Sequence, residues 1–171
     1  MKLTDFAILR LPRPPLRVAA LAGLGGCLAI ATLALIEQTV NMPLLAAAFG
    51  ASCVLVFLAP NLPYSQPANV VGGHVVATLC GLVCAQVFPT TWWSLGLAVG
   101  LAIGAMALLR VTHPPAGGNP ILVMTAHVGW SFLLLPMFVG AIAVVVVGLA
   151  FHAATRSRYP DAGENVGVTV R

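Results

Sequence analysis

Along this chain, long apolar runs are separated by short segments of turn-forming residues, with little of the alternation that marks a half-buried strand. The first run, Val18 to Ile36, ends at Glu37-Gln38. A second starts near Pro43, is interrupted at Phe49-Gly50-Ala51-Ser52 and stops at Ala59-Pro60. The uncharged segment Asn61 to Asn69 is rich in proline and amides, which is turn chemistry. A third run covers Val70 to Phe88, and after Pro89-Thr90-Thr91 a fourth begins at Trp92-Trp93, an aromatic pair of the kind enriched at a membrane interface, and extends to Arg110-Val111. The chain then breaks at Thr112 to Pro120. The last apolar stretch, Ile121 to Ala150, is too long for one ordinary span and too short for two, with a natural break at His127 to Ser131. It therefore predicts a short helix from about Gly117 to Val128 and a full one from Ser131 to Ala150.

A span needs roughly 20 apolar residues to cross about 30 Å of hydrocarbon. The pattern predicts an all-α membrane protein of five to six transmembrane helices, two of its segments being interrupted. Composition agrees: 60% of residues are hydrophobic and 7% charged, where a soluble domain carries about 25% charged residues. Between Val18 and Thr155 the only charged side chains are Glu37 and Arg110. The organisation expected is a basic cytoplasmic segment over residues 1–17, one membrane domain over 18–155 and a short polar tail over 156–171. The first run is longer than a signal peptide's apolar region and more spans follow, so it reads as an uncleaved span.

Lys2, Arg10, Arg13 and Arg17 place the N-terminus in the cytoplasm. An even number of crossings returns Arg156 and Arg158 to that side, which favours six over five. Arg110 then falls on the cytoplasmic side and Glu37 opposite. The chain also matches itself. Leu28 to Glu37 lies over Leu101 to Arg110, with identities at Leu28, Ala29, Ile30, Ala34 and Leu35; Phe49-Gly50-Ala51-Ser52 then lies over Ala116-Gly117-Gly118-Asn119. Repeats over 18–88 and 92–155 would each hold three crossings and so be inverted, an arrangement common in secondary transporters, whose sites lie where interrupted helices meet. Gly96, Gly100 and Gly104 form a stripe that allows close helix approach.

Candidate chemistry follows from those interruptions. Short helices beginning at Gly50 and Gly117 would bring two N-termini together, whose free N–H groups suit a small anion. Gly50, Gly117 and Gly118 would allow close backbone approach and Ser52 and Asn119 would add donors, or else the glycines merely pack and Ser52 and Asn119 serve as ordinary N-caps. His113 precedes two prolines; its ring suits proton-coupled transport or a bond to loop carbonyls. His74, a polar residue inside a span, is a functional candidate or bonds the Asn69 and Gln66 loop. Arg110, Pro114 and Pro115 would form a vestibule or gate. His127 and His152 read as interfacial residues. Cys27, Cys53, Cys80 and Cys84 read as packing residues. No metal or cofactor is expected, since no two histidines have helical ligand spacing, and no enzyme, since no carboxylate inside the spans could pair with His74 or His113.

At Thr112-His113-Pro114-Pro115-Ala116-Gly117 the sequence resembles the HPP family of integral membrane proteins, named for its His-Pro-Pro triplet. Phe49-Gly50-Ala51-Ser52, Gln66-Pro67-Ala68-Asn69-Val70-Val71-Gly72-Gly73-His74, and Leu101-Ala102-Ile103 with Met106 add to the resemblance, which covers about Pro43 to Pro136. It implies a small transporter-like protein; plant and cyanobacterial relatives are associated with nitrite transport. The family is usually described with about four spans. Two departures stand out: Ala68 replaces a usual arginine, and Gly118-Asn119-Pro120 replaces a more usual Ala-Thr-Ala. The function expected is a transporter or channel for a small, nitrite-like anion in the cytoplasmic membrane, with Gly50, Ala51, Ser52, Asn69, His74, His113, Gly117, Gly118 and Asn119 binding it. The alternative is a non-transporting scaffold or subunit. Partners would be the anion, the lipid bilayer and further copies of the chain in a homo-oligomer, not nucleic acid.

Overall fold

The computed structural model describes residues 13–40 and 45–161. Lys2, Asp5, Arg10, Pro43, Glu164 and Arg171 lie outside these residues. Six α-helices and no strand occur among the described residues: α1 (Leu16–Val40), α2 (Ala47–Cys53), α3 (Pro67–Val87), α4 (Trp92–Leu108), α5 (Asn119–Thr125) and α6 (Gly140–Thr155). Helix α2 continues as a π-helix, Val54–Leu58, and α6 is entered through another, Leu133–Val139; 3-10 turns cover Pro63–Ser65 and Pro114–Gly118. Pro136 sits inside the second π-helix. A proline lacks an N–H and clashes with the preceding turn, and wider winding accommodates both demands.

Contacts at the helix ends establish the direction of each pass. Arg17 at the start of α1 lines one groove with Leu58, Pro60, Thr155 and Ser157. Tyr159 Oη donates to Ser65 O at 3.0 Å, and Val111 packs on Gly72 near the start of α3. The starts of α1 and α3 thus meet the ends of α2, α4 and α6 at one end of the molecule. At the other, Leu45 N donates to Glu37 Oε2 at 2.9 Å, and Thr90 Oγ1 donates to Met124 O at 3.1 Å. Among the described residues, six segments therefore run alternately between these two ends, both described ends lying on one side, with Arg13, Arg17, Arg110, Arg156 and Arg158 there and Glu37 opposite. Helices α1, α3 and the joined segment ending in α6 have the length and apolarity of membrane spans; α2 with its π-extension and α4 are shorter apolar helices. At 17 residues α4 is about 26 Å long.

Neighbours repeat between the halves. Helix α1 packs on α2 and α6, and α4 packs on α5 and α3, which is the pairing obtained by exchanging one inverted half for the other. Ala29, Leu33, Phe49, Val56, Val70, Met137, Ala141 and Val144 form the largest buried apolar cluster.

Two expectations about glycines are corrected. No helix begins at Gly50: α2 starts at Ala47 and runs through it, because this glycine lies on an exposed helix face and leaves the backbone ladder undisturbed. The stripe Gly96, Gly100 and Gly104 packs on nothing within the described chain; a Cβ at each would meet no atom within 4 Å. Close approach occurs instead at Gly73, where a Cβ would lie 2.5 Å from His113 Cβ, and at Gly81, where it would lie 2.7 Å from Pro120 Cα.

Candidate functional site

Beneath the turns at the arginine-bearing end, five polar side chains are fully buried together: Ser52, His74, Thr78, His113 and Asn119. Helix α3 brings two of them and three other elements one each, for local reasons. Pro67 starts α3 at a position where its missing N–H costs nothing, so Gly73 and His74 fall two turns inside the helix. Gly73 lets the His113 backbone approach α3 closely. His113 itself is extended, φ −135° and ψ 100°, as a residue before proline must be, which turns its ring inward under the 3-10 turn. Asn69 Nδ2 donates to Thr112 O at 2.9 Å and fastens that turn to the start of α3. Ser52 reaches the cluster from α2 and Asn119 from the first position of α5.

The bonds form a chain whose direction can be deduced. His113 Nδ1 lies 2.8 Å from Tyr64 O. A carbonyl only accepts, so His113 donates from Nδ1, and in the neutral ring its Nε2 is an acceptor. Ser52 Oγ lies 2.8 Å from that Nε2 and 3.0 Å from Ala48 O; its single proton goes to the nearer nitrogen, a buried acceptor with no other donor, whereas Ala48 O is a carbonyl of the same helix. Ser52 Oγ then accepts from His74 Nε2–H at 3.0 Å. His74 Nδ1 is left as an acceptor, and Asn119 Nδ2 donates to it at 3.0 Å and to Thr78 Oγ1 at 2.9 Å. Placement of the amide nitrogen on this side is supported by two further acceptors, His74 O and Met137 Sδ, each 3.4 Å away. Phe49 tilts over His74 with ring centroids 4.9 Å apart, and the two histidine rings are 5.1 Å apart.

One buried side-chain atom among the described residues has no hydrogen-bond partner: Asn119 Oδ1. Such an orphan costs free energy unless something else satisfies it. The grooves along α1 do not reach the cluster; one is lined by Ala22, Gly26, Ile30, Gly50 and Cys53, the other by Arg17 and the helix ends around it. The cluster is closed, uncharged and polar inside an apolar bundle, so it can exchange protons or hold a small polar solute after opening.

Of the residues singled out from the sequence, Ser52, His74, His113 and Asn119 come together, and Asn69 supports them. Gly50 and Ala51 face outward on α2, Gly118 is exposed, and Cβ atoms at Gly117 and Gly118 would meet nothing within 4 Å. Ser52 and Asn119 are not N-caps: Ala46 and Gly118 hold those positions without side-chain bonds. Helix N-termini therefore do not converge on Gly50 and Gly117; the buried side chains are what meet. Pro114 is exposed and Pro115 half-buried at the 3-10 turn, and Arg110, exposed, ends α4 with a left-handed φ of 59°. His74 bonds neither Asn69 nor Gln66, whereas His113 does bond a loop carbonyl.

Sequence reasoning overlooked Thr78, although it lies one helical turn beyond His74, and the Tyr64 carbonyl, which no side-chain motif could signal. His152 does lie in the last turn of its helix, but it is buried there and not open at the surface. His152 Nε2 donates to Val56 O at 2.9 Å, its Nδ1 meets the Ser157 hydroxyl, and Tyr159 packs on its ring. With Asp161 N donating to Gln66 Oε1 at 3.0 Å, residues 157–161 form a strap over the loop that carries Tyr64. Burial pushes the Tyr159 phenol up to about 12.

The transmembrane region of the HPP family matches residues 11–160. Two Dictyostelium discoideum proteins, each described as a transmembrane protein, are similar: one is 33% identical over 80% of this chain and 48% of its own length, the other 30% identical over 88% and 58%. The chain thus spans about half the length of these curated relatives. No solved structure matches it.

Proposed function

The chain belongs to the HPP family of membrane proteins, and we propose that it carries a small inorganic anion, nitrite-like, across the cytoplasmic membrane with its N-terminus inside. The observation behind this reading is the closed cluster of Ser52, His74, Thr78, His113 and Asn119 between six apolar passes. Buried polar groups are costly in a membrane domain and are usually retained for solute or ion pathways. Their place between two halves of opposite direction is the usual position of a carrier's site, here in its occluded form. The arginines at one end of the molecule agree with a cytoplasmic N-terminus and would draw anions towards the Thr112–Gly118 turn.

The test is stopped-flow flux of nitrite into proteoliposomes, comparing the wild type with Asn119→Leu after its helicity and monodispersity have been checked. Flux in the wild type and its loss in the variant are expected. Unchanged flux in a folded Asn119→Leu protein would remove the cluster from the pathway.

A second reading has its own observation. The exposed face of α4, with Gly96, Gly100 and Gly104 open and Leu97, Leu101 and Leu108 beside them, suits packing against another membrane helix, as a scaffold or complex subunit would require. Absence of flux together with a stoichiometric co-purifying membrane protein would favour it.

A further inference from the structure

The orphaned Asn119 Oδ1 and the one-way bond chain that ends on it bear on what accompanies the anion. In the resting cluster both ring N–H groups, the Ser52 hydroxyl and the Asn119 amide are already spent: His113 on Tyr64 O, Ser52 on His113, His74 on Ser52, and the amide on His74 and Thr78, whose oxygen accepts there. The atom left over is an acceptor, which repels an anion. The resting site is therefore built against the solute that the transporter reading assigns to it.

One added proton reverses this. If His74 is protonated at Nδ1, that nitrogen becomes a donor and no longer tolerates the Asn119 amide nitrogen 3.0 Å away. Turning the amide over places Oδ1 there, where it accepts from His74 Nδ1–H and from the Thr78 hydroxyl. The same turn carries the amide NH2 to the place where Oδ1 had no partner. The cluster then offers a free donor beside an imidazolium, which is an anion site. Ser52, His113 and Tyr64 need not move, because their bonds keep His74 Nε2 a donor in both states.

We propose that His74 binds one proton at Nδ1 together with one small anion, the Asn119 amide turning over to link the two. This rests on the transporter reading above for the identity of the anion, and on the cluster geometry alone for the proton.

The surroundings make the two charges depend on each other. The titratable group facing His74 is His113; α2 presents Phe49 and Ser52, α5 presents Asn119, the π-helix before α6 presents Met137, and α3 itself presents Thr78. Cys53, next along α2, faces Gly26 of α1. Of the described carboxylates, Glu37 accepts from Leu45 N at the opposite end, and Asp161 lies in the strap. The cluster thus has no built-in counterion among the described side chains. A buried imidazolium without a partner is expensive, so the anion supplies its charge balance and the proton supplies the anion's.

Two measurements test this on the full-length protein in nanodiscs. Nitrogen-15 NMR of labelled histidines should find opposite tautomers at neutral pH without nitrite, His74 protonated at Nε2 and His113 at Nδ1. Acidification should add a proton at His74 Nδ1. A resting Nδ1–H tautomer at His74, or a ring that stays singly protonated until the protein unfolds in acid, overturns the proton site. With sodium nitrite as the probe, one proton should be taken up per nitrite bound, and above the pH at which the ligand-free ring titrates the apparent affinity should fall tenfold per pH unit. In His74→Gln, residual nitrite binding should take up no proton and lose its pH dependence; proton uptake equal to the wild type overturns the assignment. If nitrite binds at no pH, the anion reading fails by itself, and the histidine spectra still decide the proton.

Discussion

Ser52 and Asn119 hold opposite nitrogens of one imidazole: Ser52 Oγ lies 3.0 Å from His74 Nε2, and Asn119 Nδ2 lies 3.0 Å from His74 Nδ1. These are the two residues that the internal match superposes, one in each half of the chain. A position shared by the two halves thus becomes a clamp on a single ring from both sides.

Loosening that clamp has a cost. Ser52→Ala removes the donor to His113 Nε2 and the acceptor of His74 Nε2–H, leaving both buried nitrogens without their partner. An expected loss of about 1–3 kcal/mol should appear as a lower unfolding midpoint in detergent. Ser52→Cys, which keeps a weaker donor and acceptor at this position, should lose less.

Glycine tolerance separates interior from lipid-facing positions. Gly73→Ala places a Cβ 2.5 Å from His113 Cβ and 3.0 Å from Val111 O, and the backbone atom cannot step aside. It should destabilise by several kcal/mol, on the order of an overpacked core site. Gly100→Ala meets nothing within 4 Å and should be neutral or stabilising by up to about 1 kcal/mol through helix propensity. Similar midpoints for the two variants would contradict this packing.

The strap should be sensitive to alkali. Burial raises the Tyr159 phenol from 10.0 to about 12, so the folded protein holds a proton that the unfolded chain releases first. The contribution is complete below pH 10 and is lost as pH rises towards 12. Tyr159→Phe should lower stability at neutral pH by about 1 kcal/mol through the missing bond to Ser65 O. It should also flatten this part of the pH profile, as chemical denaturation from pH 8 to 11.5 would record.

Sidedness is accessible to labelling. In a background where Cys27, Cys53, Cys80 and Cys84 are replaced, Arg158→Cys and Ala126→Cys should react with a membrane-impermeant maleimide from opposite faces, Arg158→Cys from the cytoplasmic one. Labelling from the same face would contradict six passes.

The sequence alone determined the environment and narrowed the passes to five or six. Runs of apolar residues near 20 long have no stable place but a bilayer, and basic residues at both ends of an almost uncharged interior favour an even number of crossings. It also named Ser52, His74, His113 and Asn119, because hydroxyl, imidazole and amide groups are conspicuous inside apolar spans, and the match between halves singled out Ser52 and Asn119 together. What only the tertiary structure decided is how these four are used. Glycine at Gly50 and Gly117 looked like a pair of helix starts, yet a glycine on a lipid-facing surface need not break a helix, and its effect depends on whether a neighbour approaches. That neighbour exists at Gly73 and Gly81, where facing elements lie in contact, and not along Gly96, Gly100 and Gly104. The direction of the hydrogen-bond chain depends on the Tyr64 carbonyl, a backbone group every residue possesses. Only the folding of the Pro60–Gln66 loop over His113 gives that carbonyl its place, and from it follow the tautomers of both histidines and the unpaired oxygen of Asn119.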